Sequence, residues 1–315
     1  MTIKRICMVG GTGFVGSQVA QQLVARGYDV RVLTRDRERA KDLIVLPSLE
    51  VVNANVHDPA HLARQFEGMD AVINLVGILH ERRKNTFDNA HVQLTQKILD
   101  ACRTTKVKRV LHMSALAASA NAPSAYLRSK AEAEKRVLAF HRDGYGNATI
   151  FCPSVIFGQG DGFINLFAKL IKSLPVVVLA CPRARFQPIH VEDVAHAFVD
   201  SLDDAHTFGQ TYKLCGPRVY ELKELITLIA ALLGKRRPIV RLNNGLSYLQ
   251  ALVMEWLPVK LMTRDNYYSM QIDSVCDCEF PFDFKPSSLE SVVPTYLVGA
   301  SPRGKYALFR NRAGR

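Results

Sequence analysis

The strongest constraint on this chain is the run Val-Gly-Gly-Thr-Gly-Phe-Val-Gly at residues 9–16. An apolar segment, residues 3–9, leads into it. Apolar residues at helical spacing, Val15, Val19, Leu23 and Val24, lead out. A strand that turns into a helix through glycines lets its backbone approach a ligand closely. It also aims the helix N-terminus, with unpaired N–H groups and a favourable dipole, at the same spot. That is how a phosphate cradle is built, and the strand before and helix after give the glycine pattern its meaning. The expectation is a dinucleotide cradle formed by Gly10, Thr12, Gly13, Phe14, Val15 and Gly16. A tight strand–helix turn that binds nothing is the plainer alternative.

The rest of the first half fits such a start. Residues 30–33, 49–52, 71–75, 109–113 and 148–152 read as strands, and residues 87–103 and 126–141 read as helices. Alternation of this kind specifies an α/β protein with a doubly wound parallel sheet covered on both faces. After Pro153 the character changes. Glycines at 158, 160 and 162 mark a loop, 163–174 reads as a helix, and 186–191 as a short strand leading into a helix at 194–202. A strand at 209–214 and a helix at 222–233 follow. Beyond Pro238 the pattern weakens, with prolines at 258, 281, 286, 294 and 302. The expected division is a dinucleotide domain over 1–152 with return segments within 186–233. A smaller C-terminal substrate-side lobe takes 153–185 and 234–300, and a basic tail 301–315. Within the lobe, Leu246, Leu249, Leu252, Val253 and Trp256 recur at helical spacing. Core packing is the default for such a stripe, and a face toward a membrane or partner subunit is the sharper reading.

Charge narrows the partners. Lys and Arg number 41 against 29 Asp and Glu, a formal net charge of +12. Part of the excess sits at the end, where Arg303, Lys305, Arg310, Arg312 and Arg315 face no acids. An anionic ligand, surface or nucleic acid would suit this balance, but no stacking-aromatic signature or basic groove motif supports nucleic acid. The seven cysteines are scattered without a CxxC pair, which points to a reducing compartment with neither disulfides nor zinc. The nine histidines show no metal-ligand spacing, so no metal is expected. The first strand starts at the third residue, so no targeting segment is expected, and no apolar run reaches membrane-spanning length. The expected location is cytoplasmic, or peripheral to a membrane.

In dinucleotide folds the tip of the second strand meets the adenosine ribose. An acid there selects NAD, and a basic residue accommodates the 2′-phosphate of NADP. Here the strand ends at Thr34 and continues Arg35-Asp36-Arg37. An arginine grips a phosphate with paired donors, so Arg35 favours NADP, with NAD as the alternative. Asn55 and Val56 follow the third strand, where the adenine is lined. Asn74 and Gly77 end the fourth, where the backbone must pass close to the cofactor.

The chemistry falls to Tyr126 and Lys130, four apart on a helix and therefore on one face. A neighbouring ammonium favours the phenolate, which makes Tyr126 a usable acid or base for interconverting hydroxyl and carbonyl beside a nicotinamide. Lys130 can also hold the nicotinamide ribose.

The ordered set Gly10-x-x-Gly13-x-x-Gly16, Asn74-x-x-Gly77, Ser114, Tyr126-x-x-x-Lys130 and Pro153-Ser154-Val155-Ile156-Phe157-Gly158 resembles an extended or atypical short-chain dehydrogenase/reductase of the epimerase/dehydratase kind. Residues 153–161, 187–194, 261–266 and 288–297 are similar to the alpha subcomplex subunit 9 family of respiratory complex I and its bacterial relatives. The resemblance implies a Rossmann sheet, with Gly10, Gly13 and Gly16 at the pyrophosphate and Arg35 at the 2′-phosphate. It also implies Tyr126 and Lys130 at the nicotinamide ribose, Pro153 and Val155 beside the carboxamide, and Ser114 with Tyr126 and Lys130 as the catalytic set. A bacterial setting at the inner membrane and a respiratory-chain partner belong to the same implication.

One departure bears on function. Active extended members place a Ser or Thr one or two residues beyond the first serine after the fifth strand, to bind the substrate carbonyl. Here those positions hold Ala115 and Leu116, with Ser119 as the nearest substitute, and His91 stands where the wider family often has Asn. Losing that donor removes a few kcal/mol of polarisation. The expected function is a nucleotide-binding accessory or quinone-metabolism-linked role with weak or absent turnover. The alternative is an active NADP-dependent oxidoreductase or epimerase using Tyr126 on a quinone precursor, a lipid-like carbonyl or a sugar nucleotide.

Overall fold

The computed structural model describes residues 3–82, 85–257 and 261–297. In chain order the first elements are β1 (Arg5–Val9), α1 (Phe14–Ala25), β2 (Asp29–Thr34), α2 (Lys41–Ile44), β3 (Leu49–Asn53), α3 (Pro59–Phe66) and β4 (Ala71–Asn74). They are followed by α4 (Leu94–Thr105), β5 (Arg109–Met113), α5 (Ala125–Arg142) and β6 (Asn147–Pro153). Next come β7 (Ile156–Phe157), α6 (Ile164–Ser173), β8 (Val177–Leu179), β9 (Arg185–Phe186) and β10 (Ile189–His190), then α7 (Val191–Asp200) and β11 (Thr211–Leu214). The chain continues with β12 (Tyr220–Glu221), α8 (Leu222–Leu232), β13 (Ile239–Arg241), α9 (Asn244–Glu255), α10 (Arg264–Ser269) and α11 (Leu289–Leu297).

Two compact units result. Among the described residues, the first comprises those up to 153 together with 192–214, and the second 154–191 together with those from 215 to 297. The return to the first unit is therefore narrower than the 186–233 read from the sequence. β10 pairs with β7 and β9 with β12, so the segment expected to rejoin the large sheet forms small two-stranded ladders instead. Helix α8 belongs with the second unit because Leu222, Leu225, Ile226 and Ile229 bury into that unit's own core.

The first unit carries a seven-stranded sheet ordered β11-β6-β5-β4-β1-β2-β3, parallel throughout. β1 lies inside the sheet between β4 and β2, and its residues Ile6 to Val9 are all buried, as a strand covered on both faces must be. The order reverses between β1 and β4, and ligands of such sheets bind at that switch, outside the strand ends. Two of the helices that cover the sheet, α3 and α5, begin where side chains cap them. Asp58 accepts from the Ala60 and His61 N–H groups ahead of Pro59, and Ser124 Oγ accepts from Leu127 N–H at 3.2 Å to start α5.

A buried arginine, Arg109, joins the return segment to the sheet. Its guanidinium donates to Leu202 O (3.1 Å), Ser201 O (2.6 Å), Thr207 Oγ1 (2.9 Å) and Thr149 Oγ1 (2.8 Å). Burial brings it down to about 10, with every acceptor neutral. Nothing in the sequence marked this residue, because a cation opening a strand reads as an edge position.

In the second unit, α6, α8 and α11 enclose a core of Phe157, Ile164, Ile171, Phe186, Leu225, Ile226 and Val293. Asp161 accepts from the Phe163 N–H at 2.8 Å and closes the glycine loop before α6. The basic tail at 301–315 and Pro258 lie outside the described residues.

Candidate functional site

Everything at this site belongs to the first unit and grows from the C-terminal ends of β1, β2, β4, β5 and β6. At β1 the chain turns at Gly10, whose φ of +87° an L side chain rarely adopts. A Cβ added at Gly16 would lie 2.4 Å from Gly10 O and 2.6 Å from Gly11 Cα, so α1 leaves the strand at a closeness only glycine permits. Gly13 is the N-cap of α1 and supplies no side-chain hydrogen bond. The first-turn N–H groups of Phe14, Val15 and Gly16 therefore lack a side-chain cap, and they lie at the positive end of the helix dipole. Thr12 is half-buried on the turn itself. A cradle of this shape fits a pyrophosphate.

At the end of β2, Arg35 is exposed and follows the buried Thr34. Asp36, the nearest acid, turns its carboxylate onto the Glu38 N–H at 3.0 Å and caps a short 3₁₀ turn. This cap takes that acid into the backbone of the turn while Arg35 stays in solvent. Beyond β3, Asn55 Oδ1 accepts from His57 N–H (3.1 Å), and Val56 is buried with Leu62 and Phe66.

Asn74 ends β4 in a fully buried amide network. Its Oδ1 accepts from Val76 N–H (3.2 Å), which leaves Nδ2 to donate to Thr95 Oγ1 (3.2 Å) and to His112 Nδ1 (3.1 Å). His112 therefore accepts at Nδ1 and carries its proton at Nε2, an atom that is buried without a partner. Burial pushes His112 down to about 3, so it is neutral. Asn74 thus shapes the strand end from inside the sheet.

The helical pattern expected over 87–103 begins with a π-helical turn, Asp88–Gln93, before α4. Such turns carry an extra residue and recur at functional sites. Here it brings His91 against α5, with Nδ1 2.8 Å from Ser129 Oγ and Nε2 accepting from Ile78 N–H at 3.0 Å. Since Ser129 Oγ donates to Tyr126 O (2.7 Å), the His91 proton sits on Nδ1. Burial first, then the Lys130 charge, hold His91 down at about 2. A neutral histidine thereby ties the β4 loop to the first turns of α5.

Tyr126 and Lys130 occupy successive turns of α5. Lys130 is only 2% exposed, and its Nζ donates to Met113 O (3.1 Å) and, more weakly, Val76 O (3.4 Å). Burial brings it down to about 8, with Cys152 and Glu134 opposing. Gly77 makes room for this lysine, since a Cβ there would stand 3.3 Å from Nζ. The Tyr126 ring is half-buried, edge-on to His91 (centroids 5.6 Å apart) and to Phe87 (5.9 Å). Phe87 and His91 are the neighbours that sequence reasoning missed as a pair. Their spacing of four was visible, their meeting with Tyr126 was not.

Ser114, just beyond β5, is buried. Its Oγ stands beside the Glu134 carboxyl and the Cys152 thiol without a well-formed hydrogen bond to either. Glu134 accepts from Cys152 Sγ at 3.3 Å, and burial raises its carboxyl. Ala115 and Leu116 offer no hydroxyl, and Leu116 is buried with its N–H donating to Pro153 O (2.9 Å). Ser119 is exposed and engaged in a local turn, its Oγ accepting from Asn121 N–H at 3.3 Å. Pro153 ends β6 in this unit, whereas Val155 belongs to the second unit, where its carbonyl accepts from Ile189 N–H at 3.0 Å. Of the residues singled out beforehand, the structure places Gly10, Gly13, Gly16, Asn74, Gly77, Ser114, Tyr126, Lys130 and Pro153 at the strand ends or the first turns of α1 and α5. Among the described residues there is no group of three or more side chains able to hold a metal, and no disulfide links the cysteines.

Fold and cradle define a nucleotide-binding Rossmann protein, and residues 6–215 place the chain in the NAD dependent epimerase/dehydratase family. Among its relatives is the NADH dehydrogenase (ubiquinone) 1 alpha subcomplex subunit 9, mitochondrial, of Dictyostelium discoideum. The two are 32% identical over 224 residues, 70% of this chain and 61% of the relative. The chain thus spans about three fifths of that relative's length. A 3 beta-hydroxysteroid dehydrogenase/Delta 5→4-isomerase of Mycobacterium tuberculosis is 26% identical, with 85% of this chain and 84% of the relative covered. In fold, the chain matches a dTDP-glucose 4,6-dehydratase from Streptomyces venezuelae solved with NAD bound. The TM-score is 0.67 at 24% identity, over 76% of this chain and 85% of that one. Among the described residues no helix is long and apolar enough to cross a membrane.

Proposed function

We propose that this protein holds NADP(H) as a resident nucleotide, in an accessory role near the respiratory chain or quinone metabolism, and turns over weakly or not at all. The observation that carries the binding half is the cradle, where α1 approaches β1 too closely for any side chain at Gly16 and offers uncapped N–H groups. In this reading Gly10, Thr12, Gly13, Phe14, Val15 and Gly16 hold the pyrophosphate, and Asn55 and Val56 flank the adenine. Asn74 and Gly77 shape the strand end, and Pro153 borders the nicotinamide. NADP rather than NAD follows from Arg35, which stays in solvent while Asp36 is used as a cap. A carboxylate committed to backbone N–H groups is a poor ribose ligand, and a free guanidinium is a good phosphate ligand.

A bound nicotinamide dinucleotide supplies hydride transfer. What the chain's own residues supply is a buried lysine fixed by two carbonyls, a tyrosine one turn earlier, and a neutral histidine that braces both. Tyr126 and Lys130 can position a ribose, and Tyr126 can hold or release a proton at its phenol oxygen. No hydroxyl stands at Ala115 or Leu116 to polarise a carbonyl, and Ser114 Oγ is enclosed beside Glu134 and Cys152. The site is better equipped to retain a nucleotide than to use one, and a retained nucleotide stabilises the fold by mass action. The similarity to the alpha subcomplex subunit 9 supports the respiratory-chain setting.

A second reading, an active oxidoreductase on an apolar carbonyl, draws on the depressed Lys130 ammonium beside Tyr126 and on the steroid dehydrogenase relative. The two separate in one experiment. Wild type and Tyr126→Phe are loaded with 4-deuterated NADPH, and label loss is followed with quinone and steroid-like carbonyls. Retention of label in both proteins is expected. Label loss in wild type that disappears in Tyr126→Phe would replace the accessory reading with the enzymatic one.

A further inference from the structure

The second unit contains a helix that presents its apolar face outward. Along α9, Leu246, Leu249, Val253 and Trp256 recur at steps of three and four and form one stripe. Core packing was the default expectation for that stripe, with a face toward a membrane or a partner subunit as the alternative. Instead the residues that face inward are Ser247 and Ala251, while Leu249 is 51%, Val253 58% and Trp256 85% exposed. The helix is fixed in this orientation by polar contacts. Cys181 N–H donates to Ser247 Oγ (3.1 Å), and Gln250 Nε2 donates to Val178 O (3.2 Å).

The apolar surface continues off the helix. β8 and β13 pair in parallel with Val178 beside Val240, and both point outward, exposed. Leu174 and Val176, between α6 and β8, are exposed as well. Around this surface basic residues predominate, with Glu255 on α9 and Asp265 on the adjoining α10 as the acids. Lys169, Lys172, Lys235, Arg236 and Arg241 are exposed on the same elements, and Arg237 fastens its loop to α6 by donating to Ile171 O at 3.3 Å. Across residues 164–180 and 233–257 the sole acid is Glu255, which pairs with Arg264 at 2.9 Å.

We infer that this face docks on the surface of an anionic lipid bilayer, with Leu249, Val253 and Trp256 in the headgroup–acyl boundary and the lysines and arginines on the phosphates. An outward apolar stripe with a basic rim and an interfacial tryptophan is the chemistry such a surface recognises. A second copy of the chain would set one basic rim against another, and like charges across a two-fold contact repel. The inference rests on the second unit alone, so its failure leaves the nucleotide reading standing.

Trp256 is the only tryptophan in the sequence and reports on the face directly. Full-length protein is titrated with phosphatidylcholine vesicles, with and without phosphatidylglycerol, while tryptophan emission and iodide quenching are followed. A blue shift and loss of quenching are expected with the anionic vesicles only, weakening as salt rises. Leu249→Glu with Val253→Glu, at exposed positions that leave the core untouched, should abolish both signals and leave nucleotide binding unchanged. Lys235→Ala and Arg236→Ala should each weaken binding about fivefold. A full-length variant with Arg303, Lys305, Arg310, Arg312 and Arg315 changed to Ser should still bind. The inference is overturned by silent vesicles, by binding that survives Leu249→Glu/Val253→Glu, or by binding lost only with the tail charges. It is equally overturned by a concentration-dependent dimer that those glutamates dissociate in the absence of any vesicle response.

Discussion

Gly16→Ala is the substitution on which the cradle stands or falls. The added methyl would lie 2.4 Å from Gly10 O, 2.6 Å from Gly11 Cα and 2.7 Å from Gly11 C, where ordinary contact starts at 3.4 Å. The obstructing atoms are all backbone, so no side chain can swing aside, and the turn must withdraw by about 1 Å. Overpacking of this kind costs ~1–3 kcal/mol. The atoms displaced are the backbone of the turn that faces the phosphates, so the expected loss of NADPH affinity is about 5- to 150-fold. Equilibrium titration of NADPH fluorescence measures it. Gly146→Ala is the control, since its methyl would meet Lys108 O at 2.5 Å just before β6, at the opposite end of the parallel sheet. That variant should lose stability in urea and keep its affinity. Unchanged binding in Gly16→Ala, or equal loss in Gly146→Ala, would refute the cradle.

Three further outcomes follow from the same structure. Arg35→Asp should reverse the nucleotide preference from NADPH toward NADH in competitive titration, and a preference left unchanged would remove Arg35 from the site. Arg109→Met should lower unfolding stability by about 3–5 kcal/mol, because two buried carbonyls and two threonine hydroxyls lose their donor at once; urea denaturation with the nucleotide absent reads this. His91 and His112 remain neutral when folded, down to about 2 and about 3, whereas unfolded histidines take up protons near 6.5. The unfolded chain therefore binds more protons below pH 6.5, and stability should fall as pH drops from 6.5 toward 3, by about 1.4 kcal/mol per pH unit for each histidine. His112→Asn should flatten that slope relative to wild type, and parallel slopes would contradict the assignment.

Lys130 gives the opposite branch of the pH profile. Its folded value of about 8 lies below the usual lysine range, so between pH 8 and 10.5 the unfolded chain again holds more protons. Stability should rise across that window in wild type more than in Lys130→Met.

The sheet was legible because its strands are buried on both faces and read as short apolar runs bounded by turns. Residues 109–113 and the strand within 148–152 fell where expected, and so did the Gly10–Gly16 turn and the Tyr126–Lys130 spacing. What stayed hidden depended on partners distant in sequence. The strand expected at 186–191 split into β9 and β10, because its partners, β12 and β7, lie in the second unit. The π-helical turn at His91 is set by a meeting with α5 that no local pattern announces. α11 carries Pro294 in its interior, which argued against a helix there, yet Leu289, Val293 and Leu297 bury one face of it in the second core. The α9 stripe was visible as amphipathic, but periodicity does not say which way a helix faces. Only the polar contacts of Ser247 and Gln250 decide that.

The most direct test of the nucleotide claim is to denature the purified protein and identify by mass spectrometry what it releases. One NADP(H) per chain, absent from Gly16→Ala and retained by Gly146→Ala, is the expected result. Protein that releases no dinucleotide and binds neither NADPH nor NADH on titration would contradict the claim.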